Sequence, residues 1–283
     1  MPTNDPRPSK AERRDEGRVK AIQMREQQKA REKRNRIIAI SGLVAAVVVL
    51  AVVVVLILGQ TKGTTAGAAY TGDAVKLADV AKPSTAADSG AIPVGATGKA
   101  GDKPATGAVV VSVYLDYMCP YCHKFEIAND AELATLRAAG SAVVEYHPIS
   151  ILDRQSSGTE YSTRASNAAA VVADKAPDKF SAFNSALFAN QPAENSQGLS
   201  DAEIAKLAVT AGVPQTIVDQ FTANVSGKSW RTFAPYVSAL TAQASVDLGA
   251  SYGTPTVLIN GTAFKGDLYS AGPLTKAIIA AKG

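Results

Sequence analysis

From Ile37 to Leu58 the chain runs through 22 residues without a charged side chain, IIAISGLVAAVVVLAVVVVLIL. As an α-helix rising 1.5 Å per residue, such a segment is roughly 33 Å long, the thickness of a bilayer core. A helix apolar on every side has no face to offer to water, so the run predicts a single transmembrane helix over 37–58. That span would put the two flanking parts of the chain in different compartments. The charged stretch Arg31–Arg36 abuts one end, whereas Gln60 and Lys62 lead into nearly uncharged sequence at the other. The positive-inside rule then places the N-terminus in the cytoplasm and residues 59–283 outside a bacterial-type plasma membrane. The competing reading is a cleaved signal peptide, with Ala66-Gly67-Ala68 as the cleavage site. Signal peptides usually have an apolar core of roughly 7–15 residues and a short charged lead, which fits this chain less well.

The formal net charge is +4, but it is unevenly spread. Residues 1–36 carry 12 Lys/Arg against 6 Asp/Glu, and the rest of the chain carries 17 against 19. The basic balance therefore belongs to a polar cytoplasmic tail suited to lying near anionic lipid, and the main domain offers no electrostatic case for nucleic acid. Residues 59–106 are rich in Gly, Ala, Thr, Pro and Ser without an apolar period. They read as a flexible tether with short ordered pieces.

From Gly107 onward the pattern is that of a folded domain. Ala108–Leu115 is apolar and β-branched, as in a buried strand. Helical spacing follows over 120–139, with Phe125, Leu133 and Leu136 as core positions and Gly140 as the terminating glycine. A second strand, Ala142–His147, stops at Pro148. Residues 160–248 become Ala-rich and helical and are broken into four or five helices, one of them opened by a capping box at Ser200 and Glu203. Strand texture returns at Thr256–Ile259, Asn260-Gly261 is a hairpin turn signal, and a last helix is expected from Pro273 to Ala281. The resulting segments are 107–159, an inserted helical block 160–248, and 249–283.

The chain has two cysteines, Cys119 and Cys122, in Cys119-Pro120-Tyr121-Cys122. A disulfide between them closes a loop too short to constrain the fold, which points to chemistry rather than stapling. A lone C-x-x-C is also found at zinc sites, so its context decides. Here it follows a buried strand and opens a helix, whose free N–H groups and positive dipole end favour the thiolate of the first cysteine. Pro120 suits the first helical turn because it has no N–H to donate. Stabilising that thiolate stabilises the reduced pair, and so makes the disulfide a stronger oxidant.

The stretch Tyr114-Leu-Asp-Tyr-Met-Cys-Pro-Tyr-Cys-His-Lys-Phe-Glu126 resembles the active site of DsbA-like proteins of the thioredoxin superfamily. Gly253-Thr-Pro-Thr-Val-Leu-Ile-Asn-Gly261 resembles that superfamily's cis-proline strand and hairpin. The resemblance covers about residues 107–283. It implies an α/β fold: a thioredoxin fold with an inserted α-helical domain, here preceded by one transmembrane helix. It further implies that Cys119 is an exposed nucleophile and Cys122 a buried resolving thiol. Thr254 and Pro255 would form a cis peptide facing the sulfurs and leave the Thr254 backbone free to pair with an extended substrate. Pro120, Tyr121 and Glu126 are supporting residues, the Glu126 carboxylate lying near the buried thiol in the family. The implied activity introduces disulfides into exported proteins with free cysteines. Recharging would fall to a quinone-linked membrane oxidase, DsbB-like or vitamin-K-epoxide-reductase-like, and no cofactor is required. One departure bears on the direction of the reaction. Strongly oxidising relatives usually carry His where this chain has Tyr121, and Cys-Pro-Tyr-Cys is typical of less oxidising glutaredoxins. An extracytoplasmic reductase or isomerase is thus the second reading, and a non-catalytic thioredoxin-fold binding module the third.

The remaining chemistry-bearing residues have plainer readings. His123 and the two thiols make a poor metal set on one turn, so no metal is assigned. His147 reads as structural, Asp116 as a turn or capping residue, and Trp230, Phe233 and Tyr236 as core. Asn224 and Asn260 fit the N-glycosylation pattern, the latter being better explained by its turn.

Overall fold

The computed structural model describes residues 68–282, all within the unit Thr65–Gly283. The predicted tail 1–36 and transmembrane helix 37–58 lie outside the described residues. Among the described residues no helix is long and apolar enough to cross a membrane.

Five strands, β1 (Ile92–Val94), β2 (Val109–Leu115), β3 (Ala142–Pro148), β4 (Thr256–Ile259) and β5 (Thr262–Ala263), form one sheet in the order β1-β3-β2-β4-β5. Seven α-helices accompany it among the described residues: α1 (Pro120–Ala138), α2 (Tyr161–Lys175), α3 (Phe180–Ala189), α4 (Asp201–Thr210), α5 (Gln215–Val218), α6 (Ala234–Leu248) and α7 (Pro273–Lys282). Strand β2 lies at the centre because its sequence, VVVSVYL, suits burial on both faces. It pairs in parallel with β3, Val113 opposite Tyr146, through the crossover α1. On its other side it pairs antiparallel with β4, Val113 opposite Val257. The β4–β5 hairpin turns on Asn260 and Gly261, both at positive φ (47° and 79°), as a two-residue turn of the expected kind requires. Asn260 also ties the hairpin to β2, its side-chain oxygen accepting from the Val110 N–H at 2.9 Å.

The helical block enters between β3 and β4, and α2–α6 account for the helices expected there. Helix α2 runs through its middle and is buried from Tyr161 to Ala173, small alanines letting neighbouring helices approach closely. The capping box at the start of α4 is formed in both directions, with Glu203 N–H donating to Ser200 Oγ and Ser200 N–H to Glu203 Oε2. Phe233 and Tyr236 are buried as expected, whereas Trp230 is only half-buried and meets Tyr70 edge-on. Gly140, at φ 62°, ends α1. This is a thioredoxin-like α/β fold with a helical insertion.

Of the tether expected over 59–106, residues 59–67 lie outside the described residues, and the rest holds more ordered structure than short pieces. Ala91, Ile92 and Val94 are fully buried, and β1 pairs antiparallel with β3, Ile92 opposite Tyr146. The preceding residues are fastened as well: Tyr236 Oη donates to the Gly90 carbonyl at 2.7 Å, and the Ser84 N–H donates to Asp174 Oδ1 at 2.8 Å. The ordered domain therefore begins well before Gly107. Its edge strand needs only three apolar residues because β3 supplies the partner, and Pro93 is tolerated because an edge strand has one unpaired side.

Candidate active site

Strand β2 delivers the chain to a sharp turn at Asp116. The Asp116 carboxylate is fully buried and held by three donors: Met118 N–H at 2.8 Å, Leu152 N–H at 2.9 Å and the Ser162 hydroxyl at 2.6 Å. The turn is closed by the Cys119 N–H donating to the Asp116 carbonyl at 3.0 Å. Cys119 is then the N-cap of α1 with extended backbone, φ −78° and ψ 114°, and Pro120 occupies the first helical position. The Cys119 carbonyl accepts from the N–H groups of Cys122 at 3.0 Å and His123 at 3.2 Å, so the helix begins at the motif.

Cys119 and Cys122 are free thiols at the start of one helix. Both are buried, at 4% and 1% exposure, so Cys119 is less open than the expected exposed nucleophile. The reason lies across the sequence: the Thr254–Pro255 peptide is cis, and the Cys119 thiol donates to the Thr254 carbonyl at 3.1 Å. The structure thus brings Cys119, Cys122, Thr254 and Pro255 together. The Cys119 pKa is lowered to about 6, chiefly by the hydrogen bond from the Cys122 thiol, with further help from the Thr254 side chain and the N–H groups of Cys122 and Tyr121 against the cost of burial. Cys122 is pushed far the other way, by burial first, then by its hydrogen bond to Cys119 and by that neighbour's charge. At neutral pH the pair therefore presents one thiolate and one thiol, the arrangement suited to thiol–disulfide exchange.

Tyr121 is exposed and tilts against Tyr269, ring centroids 5.7 Å apart, with the Lys124 ammonium 5.0 Å over its ring. Glu126 follows Cys122 by one turn of α1. It is buried and points to α3, accepting from Asn184 Nδ2 at 2.9 Å and Ser185 Oγ at 3.2 Å. Burial, with the nearby Asp130 charge, lifts its pKa to about 7. The charge of Asp116 also bears on the Cys122 thiol, and burial raises the Asp116 pKa to about 7. Asp116 thus has the expected turn role and a place beside the buried sulfur. His147 sits in β3, stacked on Tyr114 at 4.1 Å, as a structural residue would.

Two residues near the sulfurs escaped sequence reasoning. Tyr269, between β5 and α7, is raised in pKa by burial and then by the charges of Cys119 and Cys122. Gln191, just beyond α3, donates from its side-chain amide to the carbonyls of Tyr117 at 3.1 Å and Cys119 at 2.9 Å. Neither lies in a periodic or motif-like stretch, so spacing carries no signal for them.

The family model described as Thioredoxin matches residues 99–278. In sequence the chain is similar to the serine/threonine-protein kinase PknE of Mycobacterium tuberculosis strain H37Rv, 36% identical over 112 residues, which are 38% of this chain and 20% of that protein. The chain thus spans about a fifth of the length of the curated relatives it matches. In structure it is similar to MdbA, a thiol-disulfide oxidoreductase from Actinomyces oris, with a TM-score of 0.57 and 22% identity over 74% of this chain and 97% of that one, a likeness of fold. It is also similar to reduced DsbA from Mycobacterium tuberculosis, with a TM-score of 0.51 and 26% identity over 68% of this chain and 99% of that one.

Proposed function

The chain belongs to the thioredoxin family, and on that premise we propose that it is a thiol–disulfide oxidoreductase that introduces disulfides into exported proteins. The observation that carries this reading is the geometry of the pair, both thiols at the start of α1 with Cys119 against the Thr254 carbonyl of the cis Thr254–Pro255 peptide, a setting that lowers the Cys119 pKa to about 6 and raises that of Cys122. A stabilised Cys119 thiolate favours the reduced pair, which makes the Cys119–Cys122 disulfide an electron acceptor.

In the proposed cycle a substrate thiolate attacks Cys119 Sγ of the disulfide, and the Cys119–Cys122 bond breaks. Cys122 leaves with the electron pair and takes a proton. A second substrate thiolate then attacks the substrate sulfur of the mixed disulfide and expels Cys119 as a thiolate. The substrate is oxidised by two electrons and the pair is left reduced. Thr254 and Pro255 are assigned to hold the substrate strand against Cys119, with Pro120 and Tyr121 shaping the turn. Glu126 is kept as a supporting residue, bonded to Asn184 and Ser185 of α3. Reoxidation is assigned to a quinone-linked membrane oxidase, DsbB-like or vitamin-K-epoxide-reductase-like. The segment 37–58 would anchor the domain outside the plasma membrane.

Equilibration of the pair with glutathione tests the direction. A potential of about −120 to −180 mV supports the oxidase, and one near about −270 mV would sink it in favour of a reductase.

A further inference from the structure

Where the helical block meets the active-site turn, main-chain carbonyls are gripped by side-chain donors. Gln191 spends both N–H bonds of its amide on two carbonyls that bracket the nucleophile, those of Tyr117 and Cys119. One residue past the motif, His123 Nδ1 lies 2.7 Å from the Phe188 carbonyl; a carbonyl only accepts, so Nδ1 carries the proton. The support behind these contacts is fixed in turn. Tyr117 Oη donates to Asn184 Oδ1 at 2.9 Å, and the Asn184 amide donates to Glu126 at 2.9 Å, so α3 is tied to both sides of the motif. Gln191 also folds back on its own helix, its N–H donating to the Phe188 carbonyl at 3.1 Å.

The Cys119 carbonyl already accepts two helical N–H groups, and the amide of Gln191 is its third donor. That contact fixes the peptide plane between Cys119 and Pro120. The orientation of this plane decides where the next N–H groups, those of Tyr121 and Cys122, point. Without Gln191 the Tyr117 carbonyl would lose its side-chain donor and the Cys119 carbonyl one of its three, leaving more partial negative charge beside a thiolate. We propose that Gln191 is a positioning residue for the exchange reaction: by donating to the Tyr117 and Cys119 carbonyls, it holds the turn so that backbone N–H groups face the Cys119 sulfur. The inserted helical block then has a direct part in setting the nucleophile. This rests on reading Cys119 as the exchanging thiol.

The test compares Gln191→Met and Gln191→Glu with the unaltered protein, each as the full chain in detergent. Methionine keeps the length without a donor; glutamate keeps the shape but turns two donors into acceptors. Two quantities are read: the pH dependence of Cys119 thiolate absorbance, and the rate of disulfide transfer to a peptide with two cysteines. In both variants the thiolate should form at higher pH, and transfer near pH 7 should fall by roughly fivefold or more, the scale of one lost hydrogen bond. The glutamate variant should be the worse, and should recover part of its loss in acid, where a protonated carboxyl donates again. A methionine variant with unchanged thiolate titration overturns the proposal, because packing alone would then suffice. If the unaltered protein transfers no disulfide while the titration still shifts in both variants, the oxidoreductase reading falls and the positioning role stands.

Discussion

A thiol ionising near pH 6 beside one that resists ionisation divides the labour of the pair before any substrate arrives. With iodoacetamide, the reduced protein should lose one thiol, at a rate that climbs through pH 6 and is flat by pH 7.5; Cys119→Ser should lose none in that range. The same shift sets a stability window. Cys119's folded pKa is depressed, so its contribution is full above the unfolded value near 9 and is lost as pH falls through 6. The reduced protein should therefore gain stability over the oxidised one from pH 6 to 9, read as a widening gap between their melting temperatures. Glu126 carries the opposite sign. Its folded pKa of about 7 is raised from 4.5, so the stability it contributes is present in acid and drains away as pH rises through 7. Glu126→Gln keeps an acceptor for Asn184 and Ser185 and removes that drain. The variant should match the unaltered protein at pH 4.5 and exceed it by about 1–3 kcal/mol at pH 8 in urea unfolding, whereas an equal effect at both pH values would remove the buried charge as the cause.

At the scale of elements, legibility in the sequence followed the length of the pattern. Strand β2, the helices around Ser200 and the Asn260-Gly261 turn carry signals that are complete within themselves: a β-branched run, a capping box, two residues tolerant of positive φ. Strand β1 has no such signal. Ile92-Pro93-Val94 is a triplet in Gly- and Ala-rich sequence, and only the exposed edge of β3 makes it a strand. The site divided in the same way. Cys119, Cys122, Thr254 and Pro255 lie in motifs, whereas Gln191, which bonds the Tyr117 and Cys119 carbonyls, and Tyr269, which feels the charge of the sulfurs, come from loops whose path the whole fold decides. Two substitutions weigh these elements. Ile92 is fully buried, and Ile92→Ala should cost about 2–5 kcal/mol despite its place in a supposed tether. A value below about 1 kcal/mol would mean that β1 contributes little to the fold. Gly261 sits at φ 79° with open space around a would-be side chain, so Gly261→Ala should cost only about 1 kcal/mol, through backbone conformation alone.

For the whole molecule, the proposed function demands a compartment as well as a site. A pair poised to be reduced by its substrates is useful only where something keeps it oxidised, which in the cytoplasm glutathione and thioredoxin oppose. The charge pattern around Ile37–Leu58 would fit that compartment: 12 Lys/Arg in the 36 residues before it and a nearly uncharged stretch after it, as the positive-inside rule expects of an extracytoplasmic domain. Anchoring through 37–58 would also keep the pair within reach of the proposed quinone-linked partner in the same membrane and so raise their effective concentration. These requirements can be tested together in cells. With an epitope placed after Gly283, protease added outside intact spheroplasts should remove the epitope, while an epitope before Met1 should survive until the membrane is opened. In the same cells the Cys119–Cys122 pair should be oxidised at steady state and should turn to the dithiol when respiratory quinone is depleted. An epitope after Gly283 that resists external protease would place the pair in the cytoplasm and remove the oxidase reading. Correct orientation with a pair that stays reduced would instead point to an electron-fed reductase, the second reading that Tyr121 leaves open.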